Sequence, residues 1–137
     1  MAGLHSTPRF VEHERLVAFT MYDGGRDAVE RYLGASIYDA VTRLLADCTD
    51  IDPMIVHNAH DVVDYWDTAA AGKKRRIVGT TVKLHPLDSR VTEENCLAAA
   101  SVLVDAFAVC GKAFSDEAAG REIDSVAIQQ QVFADLS

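Results

Sequence analysis

The chain has little with which to build a disulfide scaffold. It has three cysteines, Cys48, Cys96 and Cys110, an odd number with no CxxC pair, and all lie in apolar helical patterns. That spacing excludes a cysteine framework and reads as reduced, buried thiols. Also missing are a hydrophobic signal core near the N-terminus and a Pro/Gly/Ser linker. The most apolar stretch, 96–111, is short for a bilayer span and carries Asp105. HExxH, GxSxG, a P-loop and a dinucleotide fingerprint are absent as well. The expectation is a soluble cytoplasmic protein of one globular domain, 1–137, with no cofactor and no membrane partner.

What is present is ordinary globular composition: 137 residues, 49% hydrophobic and 25% charged, enough for one core and excluding intrinsic disorder. Acidic residues outnumber basic ones by 21 to 13, giving a net charge of −8 that makes nucleic acid an unlikely partner. The excess is too modest to make a DNA mimic.

Thr7 before Pro8 reads as a helix cap with proline at the first helical position. The segment 10–22 fits a helix, but Val17, Phe19 and Met21 also alternate as in a strand, and periodicity leaves both open. Over 27–48, Val29, Leu33, Ile37, Val41, Leu44 and Cys48 fall in one helical stripe. Asp52 and Pro53 repeat the cap signal and predict a helix over 53–71, with Val62, Val63 and Trp66 on its apolar side. The segment 76–84 alternates β-branched residues and predicts a strand. Its partner must come from 16–22, from 54–57, or from a second subunit.

After Pro86, Asp88 or Thr92 caps a helix to about 113 that is apolar except for a stripe of Glu94, Ala98, Ser101, Asp105, Ala108 and Lys112. Such a helix belongs at the centre of a fold. Ser115 then predicts the cap of a last helix running to Leu136. Ala119, Ile123, Val126, Ala127 and Phe133 would be its core side, and Ile128, Val132 and Leu136 a second apolar side. The fold class expected is α+β and predominantly helical: four to five helices around the central apolar helix, with a small sheet including strand 76–84.

Two clusters could carry function. On the expected helix, His57, His60, Asp61 and Asp64 share one face at spacings of three, four and seven. Imidazoles and carboxylates so placed suit a first-row metal or proton transfer, giving the alternative of a small metal-assisted hydrolase with catalytic and metal roles on these four residues. The same face is equally what a solvated amphipathic helix shows. Lys73, Lys74, Arg75 and Arg76 form the one basic cluster, fit for an acidic partner or a phosphate ligand. It lacks the interleaved aromatics of a single-strand platform. His85, His5 and His13 have no partner fixed by spacing.

The leading expectation is a non-enzymatic interaction or assembly protein. It would be a subunit of an oligomer or larger particle (a viral or phage part among them) or a protein inhibitor. Its partner would be a protein, foremost a second copy. The expected interface is Ile128, Val132, Leu136 and the strand edge, with Lys73, Lys74, Arg75 and Arg76 as a charged contact.

Overall fold

The computed structural model describes residues 6–22, 24–48, 60–67, 76–86 and 90–134. Within them the order is β1 (Arg9–Val11), β2 (Leu16–Met21), α1 (Gly25–Leu33), α2 (Ile37–Asp47), β3 (His60–Asp67), β4 (Arg76–Leu84), α3 (Glu93–Ala118) and α4 (Ser125–Ala134). The fold is therefore α+β, with four helices and one four-stranded antiparallel sheet of order β1-β2-β4-β3 among the described residues.

Strand β4 occupies the segment expected, and both its neighbours lie in this chain. Val17, Phe19 and Met21 of β2 stand opposite Leu84, Val82 and Thr80, while Val62 of β3 stands opposite Val82 on the other side. No second subunit is needed to satisfy its backbone. The segment 10–22 is accordingly a hairpin, not a helix, turning at Arg15 with φ 52°. The cap reading of Thr7 and Pro8 fails because Arg9 already pairs with Ala18.

The expected helix over 53–71 is overturned where it is described: His60–Asp67 is strand β3. Apolar residues at 62, 63 and 66 satisfy a helical wheel, but a Val-Val pair followed by Tyr-Trp has strand propensity. Burial follows the period of two, with Val62 buried and Val63 39% exposed.

The single helix over 27–48 is two. Gly34 sits at φ 68°, a left-handed conformation that ends α1, and the Ser36 hydroxyl accepts from the Asp39 amide to start α2. The stripe survives the break, since Val29, Leu33, Ile37, Val41 and Leu44 are all buried. Gly24, at φ 74°, caps the start of α1, and a Cβ there would stand 2.7 Å from Phe114 Cδ2. No L side chain fits that position without moving a ring of α3.

Of the two expected caps, Thr92 starts helix α3, its Oγ1 accepting from the Asn95 amide, while Asp88 lies outside the described residues; the helix continues to Ala118. Ser115 therefore lies inside it, and α4 starts only at Ser125. By length and apolarity α3 is sufficient to cross a bilayer, yet half of its most apolar window is buried in the chain's own core. It packs on β2 and α1, with Leu103, Phe107 and Cys110 fully covered and Phe107 meeting the Phe19 ring at 6.3 Å. The polar stripe is where the wheel places it: Glu94, Ala98, Ser101, Asp105 and Lys112 are exposed.

Helix α4 departs in part from expectation. Ile123 and Phe133 pack against the core as expected, but Val132, 3% exposed, belongs to the core too, Ile128 packs against it, and Val126 and Ala127 face out. Its contacts with α1 and α3 take up the side expected for a partner. Leu136 lies outside the described residues.

Candidate functional site

In β3, alternation splits the sequence cluster across the sheet. His60, Val62 and Asp64 point towards the helices, and Asp61, Val63 and Tyr65 away from them. His57 lies outside the described residues. Among those described, no three His, Cys, Asp or Glu side chains converge as metal ligands. The shared helical face required for a metal-assisted hydrolase is therefore absent for His60, Asp61 and Asp64.

On the inner side Asp64 is engaged by both oxygens. Thr80 Oγ1 donates to Oδ1 at 3.0 Å and in turn accepts from the Arg26 amide at 2.8 Å. Arg26 Nε lies 3.0 Å from Oδ2. Nε is buried and not directed along a hydrogen bond, so the contact is a charge pair without a linear N–H···O bond. The Arg26 guanidinium also lies 5.5 Å from the centre of the Tyr38 ring, which meets the His60 ring at 5.9 Å. These side chains pin α1 and α2 onto β3 and β4. Asp64 is thus held inside the chain by Thr80 and Arg26, contacts that join α1 to β3 and β4.

His60 is half-buried, with a covered Nδ1 that has no hydrogen-bond partner among the described residues. Burial pushes its pKa down, opposed by a hydrogen bond at the Tyr38 backbone and by the Asp61 charge. The folded state thus binds fewer protons than the unfolded chain. Stability contributed by neutral His60 is present above the unfolded value of about 6.5 and declines as pH falls from there towards the folded value. Urea midpoints measured from pH 7.5 to 5.5 should fall with acidification, and His60→Gln should flatten part of that slope.

The outer side of the sheet is different in kind, because the described helices all pack on the inner side. Three rows cross it. The first is Arg9, Ala18, Lys83 and Asp61 from β1, β2, β4 and β3. The second is Thr20, Thr81 and Val63. In the third, Gly79 stands opposite Tyr65, and the rings of Tyr22 and Tyr65 close over it: a Cβ at Gly79 would lie 3.4 Å from Tyr22 Cδ1 and 3.7 Å from Tyr65 Cδ2. Tyr22 and Tyr65 are both 52% exposed, a large share for aromatic side chains.

Hydroxyls fix this surface. Thr20 Oγ1 and Thr81 Oγ1 are 2.8 Å apart, and Thr81 donates to the Tyr65 hydroxyl at 3.3 Å. Thr20 therefore donates to Thr81, and the Tyr65 O–H is left to donate outward. Beside the β1–β2 end a shallow cavity of about 360 Å³ is lined by Ser6, Thr7, Arg9, Val11, Ala18, Phe19 and Thr20. The face offers exposed aromatic area, ordered hydroxyls and both signs of charge. That is the chemistry of a contact surface.

Of the basic cluster, Lys73, Lys74 and Arg75 lie outside the described residues, and Arg76 is placed by its backbone opposite Asp67. Reading the sequence alone missed both Tyr22 and the outward alternation of 61, 63 and 65. Taking 60–67 with a period of two would have shown the second. No family model, curated protein or solved structure matches the chain.

Proposed function

We propose that this protein is an interaction or assembly module that works through the outer side of its sheet, with no catalytic chemistry of its own. One observation carries the reading: the described helices pack on one face only, while the other face leaves Tyr22, Val63 and Tyr65 exposed around Gly79. A solvated antiparallel sheet face ordinarily alternates to polar residues. Here two tyrosines and a valine replace them, the residue types that supply contact area at interfaces. The former candidate, Ile128 with Val132, is consumed by the core.

Photo-crosslinking inside cells tests this. With a benzoylphenylalanine at position 65, a protein adduct of defined mass is expected, and with the same residue at Ala98 on the exposed α3 stripe, none. Equal yields from both positions, or an adduct from Ala98 alone, contradict the reading.

A further inference from the structure

We infer that the occupant of the outer sheet face is a second copy of this chain, docked face to face about a two-fold axis that lies between the sheets and parallel to the strands. The inference rests on the reading of that face as the contact surface and adds the partner. It is carried by the order of charges in the first row. Arg9 is on β1 and Asp61 on β3, the two edges of the described sheet, with Ala18 and Lys83 between them. At roughly 4.8 Å per strand the two residues are separated by about 14 Å within one chain. They do not pair with each other there: Lys83 is the cation directly across from Asp61 on β4, and Arg9, with Ala18 opposite it, has no carboxylate in the row within reach.

A two-fold axis running between β2 and β4 reverses the row. β1 of one copy then lies over β3 of the other, so Arg9 faces Asp61 of its mate and Asp61 faces the mate's Arg9. Lys83 falls over Ala18, so no like charges oppose. The same operation brings the Thr20 side of the second row over Thr81, and the tyrosine end over the tyrosine end. This is the isologous self-complementarity that a symmetric dimer requires, at the usual sheet spacing of about 10 Å and near-aligned strands. An acidic or a basic partner would leave one end of the row facing its own sign.

The area sets the strength. A six-residue strand and four strands span roughly 20 Å by 19 Å, at most on the order of 800 Å² for the pair, below the roughly 1,000 Å² of a stable interface and in the range of weak, transient contacts. The dimer should therefore be reversible and visible as a concentration-dependent equilibrium.

Sedimentation velocity over a dilution series from about 5 to 500 µM tests it. A monomer–dimer equilibrium is expected in the unaltered chain. Each charge reversal acts twice in a symmetric dimer, so Arg9→Glu and Asp61→Arg should each weaken association by about tenfold. Both positions are exposed, and circular dichroism checks that each variant retains its fold. The double variant Arg9→Glu with Asp61→Arg should recover association. Rescue identifies contact between copies, because the two positions are too far apart to pair within one. A monomer throughout, or a dimer indifferent to both reversals, overturns the inference. If in addition position 65 crosslinks to a different protein, the contact-surface reading stands with another partner; if it crosslinks to nothing, both fall.

Discussion

Asp64→Ala should be among the most damaging single changes on the sheet, with a loss of about 2–4 kcal/mol read as a fall in the urea midpoint. Asp64 is 11% exposed and Arg26 26% exposed at their side chains. Removing one partner of a buried ion pair strands the other, at a cost of about 3–5 kcal/mol, reduced here because Arg26 keeps access to water. Thr80, fully buried, loses its acceptor in the same step while still holding the Arg26 amide. In a double-mutant cycle, Arg26→Ala should therefore cost much less in the Asp64→Ala background than in the unaltered chain. Additive losses would show that the charge pair contributes nothing beyond its separate members.

The second large effect is expected at Val132, where Val132→Asp should unfold the end of the molecule around α4. The side chain is 3% exposed within a single copy, and burying an unpaired carboxylate costs several kcal/mol. Far-ultraviolet circular dichroism should show lost helix, and the thermal midpoint should fall at every protein concentration. Were Val132 instead the contact of an oligomer, the variant would keep its helix content and lose only mass. Val126, 58% exposed on the same helix, provides the contrast: Val126→Asp should leave stability nearly unchanged.

The sequence is most legible where a period runs without competition. Residues 76–84 alternate and are strand β4, and α3 begins at Thr92 with its polar stripe of Glu94, Ser101, Asp105 and Lys112 facing out. The apolar stripe from Val29 to Leu44 was legible too, although the break within it was not. Gly34 is tolerable inside a helical pattern, and only its left-handed φ shows that the chain turns there.

Residues 60–67 are where helical and strand periods conflict with the largest consequence for function. His60 and Asp64 lie four residues apart, which is one face in a helix and also one face in a strand. Asp61 distinguishes the two: helical spacing gathers it with them, and strand spacing sends it to the opposite side. Cap and proline signals at 52–53 favoured the helix; pairing with β4, over sequence separations no local pattern contains, decides for the strand. For the same reason the Arg26–Asp64–Thr80 contacts left no trace in spacing. Their members belong to α1, β3 and β4 and meet only when the sheet forms.

Methyl-resolved NMR of the protein at low and high concentration tests the central claim most directly, that the outer sheet face is where this chain meets its copy. Val62 and Val63 are adjacent in sequence and point to opposite sides, and Thr81 and Val82 do the same on β4. The account predicts that the Val63 and Thr81 methyl signals move with concentration while those of Val62 and Val82 stay in place. Signals that move at Ala98 and Ala108 on α3 instead, or a spectrum unchanged over the whole range, would contradict it.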